Sequence, residues 1–339
     1  TSAYPSHEYW LYTRRVKLNE LTLPYLTKKG CYTVKPTGLM RGSAWRTYGL
    51  VEKMKQDGIE VFHGLSNEMP VGLFHSGIAS VVTIHDVAFK TFPDMYHWHD
   101  RKIYNMKWQY ACNHADRIVC ISECNKKDVL EFYNVPERKV EVVYQPVNPI
   151  YYESAEREAG ISPYMLYVGS INPRKNLLGV VKAWELMHQD IRVPLVVVGC
   201  GGSYKRKVQQ YLVEQGLERW VEWKELVSNE ELKRLYTNAQ MLVCPSFYSG
   251  GYEPMVEALL CGCPVVTSHA NRLPGKGNAY VMQADPNSTE DMRDNMTKLM
   301  TDSALRQQIV EQGRAYMMYT FAPQKLAQQL MAVYEAVKR

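Results

Sequence analysis

Long apolar runs are missing from this sequence of 339 residues. The longest reach roughly half of the ~20 residues that a membrane-spanning helix needs, and no basic segment followed by an apolar one marks a signal peptide. The excess of one sign of charge is also small, because the sequence has 40 Lys and Arg residues and 35 Asp and Glu residues. A formal charge of +5 without a basic run is compatible with anionic ligands and argues against a nucleic-acid partner. The sequence therefore predicts a cytoplasmic protein.

Cysteine spacing that is typical of a metal site or a disulfide framework is absent as well. Of the eight cysteines, Cys120-x3-Cys124 and Cys261-Gly262-Cys263 have no companion cluster of His or Cys. Most of the eight lie in apolar segments such as Ile118–Ile121, which is typical of buried free thiols in a reducing compartment. We therefore expect free thiols and no metal, and a chain of this length can bury a large core without either.

The sequence does contain an alternation of short β-branched runs with longer amphipathic stretches. This pattern is typical of a parallel α/β fold, and strands with helices between them favour doubly wound domains. Prolines, Gly160 and a charged patch interrupt the pattern over Gln145–Tyr164, which we predict to join two domains. Strands are predicted at Glu8–Thr13, Val61–Gly64, Val81–His85, Arg117–Ser122, Val140–Tyr144, Tyr164–Gly169, Leu195–Gly199, Val221–Trp223, Met241–Pro245 and Pro264–Ser268. Helices are predicted at Ala44–Asp57, Tyr96–Cys112, Leu177–Met187, Lys205–Gln215, Asn229–Asn238, Pro254–Cys261, Ser288–Thr301 and Pro323–Val337.

The first candidate site is the turn that follows the predicted strand ending at Gly169. Pro173 fixes this turn, and Arg174 and Lys175 then stand at the start of the next helix. Open α/β sheets bind ligands at the carboxyl ends of their strands, and helix amino termini add partial positive charge. The segment is a candidate diphosphate site, and the alternative is a solvated basic loop.

A second segment of the same kind carries two glycines and an acidic residue. Gly250 and Gly251 allow the backbone to approach a ligand, and the amides at the helix start point outward. Glu257 lies one turn into the helix, where its carboxylate could accept two hydrogen bonds from vicinal hydroxyls, as acidic residues do for ribose. In the alternative interpretation, Glu257 only complements the helix dipole.

Two further strand ends are weaker candidates. His85 ends a buried run and could touch a ligand in a cleft, although a lone histidine is more often structural, in which case Asp86 would cap the next segment. Gly199-Cys200-Gly201-Gly202 follows a strand but lacks the third glycine of a dinucleotide fingerprint. It favours a tight turn and argues against a nicotinamide-dependent dehydrogenase.

The segment Tyr96–Tyr110 mixes aromatic residues with basic ones: Trp98, Tyr104, Trp108 and Tyr110 with Arg101, Lys102 and Lys107. A helix of this composition can lie on a membrane surface. The alternative is an ordinary helix whose aromatic residues pack on a sheet. In the first interpretation, the protein would also make peripheral contact with the inner face of the membrane.

The order of these segments resembles the retaining glycosyltransferases of family 4, also called group 1, which have the GT-B fold. The segments are Thr83-Ile84-His85-Asp86, Ile121-Ser122-Glu123, Tyr167-Val168-Gly169, Pro173-Arg174-Lys175-Asn176, Val198-Gly199, Pro245-Ser246-x-Tyr248, Pro254-x-x-Glu257-Ala258 and Cys261-Gly262-Cys263-Pro264-Val265-Val266. The resemblance runs from about Glu8 to the end of the chain. It implies two Rossmann-like, doubly wound domains that face a cleft. Residues 1–150 would form the acceptor side, residues 151–320 would bind the nucleotide sugar, and residues 321–339 would form a helix that crosses back to the first domain.

The resemblance also implies roles for individual residues. Lys175 matches the lysine that binds the diphosphate, with Arg174 beside it, and His85 matches the histidine that contacts the donor sugar. Glu257 matches the second Glu of the family's Glu-x7-Glu motif, which holds the ribose. The catalytic residues would be His85, Arg174 and Lys175, and the donor-binding residues would be Ser170, Gly250, Gly251, Tyr252, Glu253, Glu257 and Val227.

Three departures from the family pattern stand out. Ser249 replaces the first Glu of the motif, while Glu253 occupies a position that is usually apolar. Ser170 replaces an arginine, which leaves Arg174 as its substitute. Finally, nothing in the sequence matches the family's opening strand and Gly-rich acceptor loop, which should precede Glu8. The replacement at Ser249 keeps open a different class of function, a non-catalytic protein that binds nucleotide sugars.

The activity implied by the resemblance is retaining, metal-independent transfer of a hexose in polysaccharide biosynthesis. The donor would be a nucleoside diphosphate sugar, the acceptor a glycan or a lipid-linked glycan, and no cofactor is expected. Arg174, Lys175 and a helix dipole would stabilise the departing diphosphate. We find no Asp-x-Asp motif, and we expect no nucleic acid among the partners.

Overall fold

Parallel strands arranged in three sheets form the frame of the chain. The computed structural model describes residues 2–18, 22–36, 42–248 and 251–338, and this part of the chain contains twelve strands. They are β1 (Tyr9–Tyr12), β2 (Cys31–Val34), β3 (Val61–Gly64), β4 (Ala79–Ile84), β5 (Arg117–Cys120), β6 (Val140–Val142), β7 (Met165–Val168), β8 (Leu195–Val198), β9 (Val221–Lys224), β10 (Met241–Cys244), β11 (Val265–Ser268) and β12 (Met282–Ala284).

Helices occupy most of the connections between these strands. They are α1 (Leu23–Leu26), α2 (Gly42–Ala44), α3 (Leu50–Gln56), α4 (Ala88–Thr91), α5 (Trp98–His114), α6 (Glu123–Tyr133), α7 (Leu177–Glu185), α8 (Ser203–Glu214), α9 (Asn229–Asn238), α10 (Glu253–Leu260), α11 (Thr289–Thr301), α12 (Ser303–Thr320) and α13 (Pro323–Glu335). None of the described helices is both long enough and apolar enough to cross a membrane.

The sheet in the second half of the chain has six strands in the order β12-β11-β10-β7-β8-β9. The chain runs outward from β7 to β8 and β9 and then returns to β10, on the other side of β7. All the neighbouring pairs are parallel, and Met165 of β7 lies opposite Met241 of β10. Ligands of open α/β sheets bind in the crevice where the strand order reverses. The topology therefore directs attention to the loops that follow β7 and β10.

The first half of the chain contains a parallel four-stranded sheet in the order β3-β4-β5-β6. All six residues of β4 are buried, as expected of a strand inside a parallel sheet. Strand β1, which we predicted within the same doubly wound domain, pairs instead with β2 in a sheet of two strands. A cavity of about 1010 Å³ is lined by both β1 and β3, so in this structure the two sheets are not joined.

The end of the chain packs against the four-stranded sheet. Val333 of α13 and the nearby Val337 share a buried cluster with Ala79, Val81 and Val119 of that sheet. The hydroxyl of Tyr334 lies 2.6 Å from Nδ1 of His63. The boundaries at residues 150 and 320 stay a prediction.

Several elements differ from the predictions. The predicted helix Ala44–Asp57 is interrupted by a π-helical turn, Trp45–Gly49. Helix α5 begins two residues later than predicted because His97 has extended backbone, with φ −62° and ψ 141°. Strands β2 and β12 and helices α6 and α12 were not predicted. The two strands have four and three residues, as do most of the strands that were predicted, but neither is a continuous apolar run such as that of β8.

Helix α5 packs through part of its aromatic content. The rings of Tyr104 and Trp108 lie 5.9 and 5.4 Å from the ring of Phe89, centroid to centroid, so the packing interpretation holds for these residues. Trp98 and Met106, by contrast, are 73% and 65% exposed. All eight cysteines are free, and five are buried, which confirms the expectation for those five: Cys112, Cys120, Cys244, Cys261 and Cys263.

Candidate functional site

The candidate site lies at the carboxyl ends of β7 and β10, where the strand order reverses. Two loops meet there, one after β7 and one after β10. The backbone N–H of Phe247 in the second loop donates to the carbonyl of Arg174 in the first, at 2.9 Å. The side-chain amide of Asn176 donates to the carbonyls of Pro245 (3.3 Å) and Pro286 (2.8 Å). These bonds hold the two loops side by side.

The first loop depends on two glycines with unusual backbone. Gly169 and Gly199 have φ angles of 148° and 154°, values that favour glycine. A Cβ at Gly199 would collide with the carbonyl oxygen of Gly169. The ends of β7 and β8 can therefore approach closely only because Gly199 lacks a side chain, whereas a Cβ at Gly169 would meet no atom within 4 Å.

Arg174 and Lys175 lie in a short 3-10 turn, Pro173–Lys175, that precedes α7. The side chain of Asn172 caps this turn by accepting a hydrogen bond from the N–H of Lys175 at 3.2 Å. Asn176 follows with a left-handed backbone (φ 59°), so the cations stand before the first turn of α7 rather than inside it. The predicted pair of cations is present, although the turn that carries it is a separate element.

Lys175 projects into a small recess between the two loops. The recess is also lined by Val168, Ser246 and Gly251. Burial lowers the pKa of Lys175 below its ordinary value, and the adjacent charge of Arg174 lowers it further. A partly desolvated ammonium group is attracted strongly to an anion, because the surrounding dielectric screens it little. The recess has a volume of about 10 Å³, which is room for about one oxygen atom, and its charge favours an anionic one.

Arg174 has a different task in this structure. Its Nη1 donates to the carbonyl of Tyr248 at 2.8 Å, and its guanidinium lies 6.0 Å from the centre of the Tyr248 ring. Arg174 therefore supports the second loop. Because Arg174 lies next to Lys175, it also adds a second positive charge near the recess.

The second loop leads into α10 through Gly251 and Tyr252. A Cβ at Gly251 would collide with the carboxylate of Glu253, the first residue of α10. A larger residue here would have to displace the flexible side chain of Glu253, and the approach of a ligand to Gly251 stays a prediction. Gly250 was also predicted to bind the donor, but it lies outside the described residues, as does Ser249.

Tyr252 was predicted to bind the donor, but its side chain faces the other half of the chain. It is 1% exposed, its hydroxyl donates to the carbonyl of Ile121 at 2.7 Å, and the same oxygen accepts from the N–H of Gln145 at 3.0 Å. The phenol is fully used by these bonds. The side chain of Tyr252 therefore joins the two halves of the chain, and the predicted contact of this residue with the donor stays a prediction.

Glu257 lies in the second turn of α10 with its carboxylate mostly buried. One oxygen, Oε2, accepts a hydrogen bond from the hydroxyl of Tyr236 at 3.0 Å. Burial raises the pKa of Glu257 to about 7, and the charge of Glu253 adds to this, while the hydrogen bond from Tyr236 opposes it. A buried carboxyl group that titrates near neutrality is typical of functional sites.

His85 follows β4 and reaches the site through a chain of hydrogen bonds. Its Nε2–H donates to the carbonyl of Leu65 at 2.7 Å, and Nδ1 lies 3.3 Å from the amide nitrogen of Gln145. Since a carbonyl oxygen can only accept, Nδ1 is left to accept from Gln145. Gln145 also bonds to Tyr252, so His85 is connected to the loop before α10. Asp86 accepts a hydrogen bond from the N–H of Ala88, the first residue of α4, at 3.1 Å, a contact that agrees with the alternative in which His85 is structural.

Two predicted donor-binding residues lie at the margin of the site. Ser170 is exposed in the loop after β7, where its Oγ accepts from the side chain of Asn172 at 3.1 Å. Val227 follows β9 and packs against the core of the second half. Because β9 is two strands from β7, Val227 lies farther along the same edge of the sheet. Their contacts with a donor stay predictions.

Four residues that organise the site were missed by the sequence analysis: Asp128, Gln145, Asn176 and Tyr236. Asp128 of α6 accepts a hydrogen bond from the hydroxyl of Tyr248 at 2.7 Å. Only Asn176 had a local signal, because it directly follows Lys175 in the motif. The other three act across more than 20 residues of sequence, and no spacing pattern encodes such contacts. The described residues contain no group of three or more His, Cys, Asp or Glu side chains that could hold a metal ion.

Two family models together match most of the chain. Residues 153–316 match the model for glycosyl transferases group 1, and residues 6–150 match the model for glycosyltransferase family 4. The boundary between the two matches falls within the Gln145–Tyr164 segment.

Individual proteins show the same similarity. The O-antigen chain mannosyltransferase B of Escherichia coli is 29% identical over 268 residues, which are 75% of this chain and 69% of that protein. The O-antigen chain mannosyltransferase RfbU of Salmonella typhimurium is 28% identical over 224 residues, which are 64% of this chain and 61% of that protein. The crystal structure of HepE from Anabaena with UDP and glucose superimposes with a TM-score of 0.72 and 14% identity, covering 97% of this chain and all of HepE. At this identity, the structural likeness shows the fold.

Proposed function

The chain belongs to the group 1 and family 4 glycosyltransferases and has the GT-B fold, and from this we propose that it is a hexosyltransferase of polysaccharide biosynthesis. Its donor is a nucleoside diphosphate sugar, and its acceptor is a glycan or a lipid-linked glycan. Two relatives are named as mannosyltransferases of O-antigen chains, so mannose is the first sugar to test.

The observation that carries the proposal is a cation in a recess beside the amino end of α10, the helix that also carries Glu257. The ammonium group of Lys175 lies in a recess between the loops after β7 and β10, α10 begins beside it at Glu253, and Glu257 stands one turn farther along that helix. A cation and the partial positive charge of a helix amino terminus suit a diphosphate. A carboxylate one turn away suits the vicinal hydroxyls of a ribose.

This arrangement supports electrostatic catalysis. As the bond between the anomeric carbon and the donor phosphate breaks, negative charge grows on the leaving diphosphate. Lys175 and the partial positive charge at the amino end of α10 stabilise that charge in place, without reorganisation at the moment of reaction. Arg174 supports the loop that leads into α10.

The proposal includes retention of configuration, which the resemblance to the family implies. The acceptor oxygen forms its bond to the anomeric carbon on the face that the phosphate leaves, and the acceptor proton passes to the phosphate. The configuration at the anomeric carbon is then retained, and the step needs no protein base. We expect His85 to orient the donor sugar from the first half of the chain, with Nδ1 exchanging its contact with the Gln145 amide for a sugar hydroxyl.

The proposed partners include a membrane surface. On α5, Trp98 and Met106 are exposed and stand within about 80° of each other at 100° per residue, with Lys102 between them. An apolar face that carries a cation suits the surface of an anionic bilayer. Sedimentation with anionic vesicles should therefore fall for Trp98→Ala, while neutral vesicles should bind neither form.

The first experiment is a binding panel of GDP, UDP, ADP and NADH, read as a thermal shift. A ligand at about 100 times its dissociation constant stabilises the native state by ~2.7 kcal/mol, so one nucleoside diphosphate should give a selective shift. Incubation with the corresponding nucleotide mannose and glycan acceptors should then yield a product with the donor's anomeric configuration by NMR. A shift with NADH alone, or with no diphosphate, would remove the proposal. Binding without turnover would favour the non-catalytic alternative that Ser249 raises.

A further inference from the structure

A buried pair of tyrosines lies behind Glu257. Tyr236 of α9 is fully buried, and its hydroxyl donates to Oε2 of Glu257 at 3.0 Å. Tyr151 packs edge-on against the Tyr236 ring, with the ring centres 6.1 Å apart, and donates its own hydroxyl to Oδ1 of Asn229 at 3.2 Å. Since both rings are enclosed and Tyr151 bonds elsewhere, the Tyr236 hydroxyl has one fixed target.

We propose that Tyr236 is the positioning residue for Glu257, holding one carboxylate oxygen so that the other faces the ribose of the donor. The inference deepens the proposed function and rests on it. Oε2 is occupied by Tyr236, whereas no hydrogen bond joins Oε1 to any described residue. A carboxylate has lone pairs for about four hydrogen bonds, so Oε1 can accept from a ribose hydroxyl while Oε2 stays anchored.

Tyr236 would also favour the ionised form of Glu257. The titratable groups that face Glu257 are Tyr236 on α9, Tyr151 in the turn Pro149–Tyr152, and Glu253 and Cys261 on or beside α10. Burial raises the pKa of Glu257 to about 7, and donation from Tyr236 pulls it down. Without the hydroxyl, more of the carboxyl group would carry a proton at neutral pH. A protonated carboxyl cannot accept from two vicinal hydroxyls as well as the ionised form does.

Substitution by phenylalanine isolates this role, because it keeps the ring and removes only the donor. We expect Tyr236→Phe to weaken GDP or UDP binding by about tenfold at pH 7, the scale of one hydrogen bond to a charged group. Binding of inorganic pyrophosphate should not change. The pH at which nucleotide binding reaches half its full strength should move upward from about 7.

The experiment is calorimetric titration of GDP, UDP, their 2′-deoxy forms and pyrophosphate between pH 6 and 9. Tyr151→Phe is the matched control, since it removes a neighbouring buried hydroxyl that bonds to Asn229 and not to Glu257. Glu257→Gln supplies a double-mutant cycle: if Tyr236 acts through Glu257, adding Tyr236→Phe to this variant should cost no further affinity. The 2′-deoxy nucleotides should bind the wild type and Tyr236→Phe more nearly alike.

The outcomes separate the inference from its premise. If the wild type binds GDP or UDP and Tyr236→Phe keeps both its affinity and its pH profile, the inference is overturned and the proposed function stands. An equal loss for pyrophosphate and nucleotide, or an additive loss in the Glu257→Gln background, would assign Tyr236 a purely structural role. If the wild type binds no nucleoside diphosphate at all, the proposed function fails and the inference falls with it.

Discussion

Burial of the Glu257 carboxyl group makes the stability of the chain depend on pH. Its pKa is raised from the ordinary 4.5 to about 7, first by burial. The folded protein therefore binds this proton more tightly than the unfolded chain does. The resulting stabilisation is fully present below about pH 4.5 and is lost as the pH rises to about 7.

Glu257→Gln should remove this dependence. Relative to the wild type, the free energy of unfolding of the variant should increase between pH 4.5 and pH 7.5, by on the order of 3 kcal/mol. Urea denaturation at several pH values measures the difference. Glu218→Gln, at an exposed carboxylate, is the control and should give a flat difference. A flat difference for Glu257→Gln too would mean that the group does not titrate near neutrality.

Loss of Lys175 should weaken ligand binding without lowering the stability of the protein. Lys175→Ala should weaken nucleoside diphosphate and pyrophosphate alike by ~1.5–3 kcal/mol. Its pKa is lowered by burial, so the buried charge disfavours folding, and we expect the variant to be no less stable than the wild type. Calorimetry and urea denaturation test both points, with the exposed Lys207→Ala as control. Unchanged affinity for pyrophosphate would remove the phosphate site.

At the scale of elements, the join between the 3-10 turn and α7 depends on Asn176. This buried residue has φ 59° and donates from its side chain to Pro245 and Pro286. Gly179 makes room for it, because a Cβ at position 179 would collide with the Asn176 amide. A glycine inside a helix normally costs about 0.5–1 kcal/mol relative to alanine. Here the glycine leaves room for the side chain of Asn176, which anchors the loop that carries Lys175.

Gly179→Ala should therefore destabilise the protein and weaken pyrophosphate binding, against the usual gain from alanine in a helix. In a double-mutant cycle with Asn176→Ala, the cost of Gly179→Ala should shrink, because the side chain that it displaces is already gone. Denaturation and calorimetry on the four proteins give the coupling. Strictly additive free energies would show that Gly179 does not act through Asn176.

The extent to which these elements could be predicted follows from their length and neighbours. The buried strands of the second sheet are continuous apolar runs, such as Leu195–Val198, and their periodicity is unambiguous. Helix α6 was missed although Ser122 caps it by accepting from the N–H of Asn125 at 3.1 Å, a signal that the sequence does contain. The pairing of β1 with β2 could not be predicted, because strand pairing depends on tertiary contacts and not on the strand's own pattern.

The residues of the candidate site also fall into two groups, those that a local motif predicts and those whose contacts are distant in sequence. Lys175 and Glu257 were predicted from motifs because each lies at a strand–loop–helix junction within a few residues of its signal. The hydrogen bonds of the Tyr252 side chain were not predicted, since its partners Ile121 and Gln145 lie more than 100 residues earlier. Contacts over such distances are set by the approach of the two halves of the chain.

At the scale of the whole molecule, the segment before α10 is attached to the first half on both sides of residues 249–250. On one side, the hydroxyl of Tyr248 donates to Asp128 of α6 at 2.7 Å. On the other, the hydroxyl of Tyr252 bridges Ile121 and Gln145. The two tyrosines therefore connect the proposed donor site to the half that is expected to hold the acceptor.

Loss of these hydroxyls should uncouple turnover from donor binding. We expect Tyr248→Phe and Tyr252→Phe to lower kcat more than they raise the KM for the donor, because the phosphate and ribose contacts lie within the second half. Tyr252→Phe also leaves a buried carbonyl and N–H unpaired, and should lower the free energy of unfolding by ~1–3 kcal/mol. Tyr211→Phe is the matched control: it removes a hydroxyl bonded to Glu185 within the second half, so kcat should not change. Equal losses of kcat in all three variants, or a loss of donor affinity alone, would show that the bridges do not align the two halves.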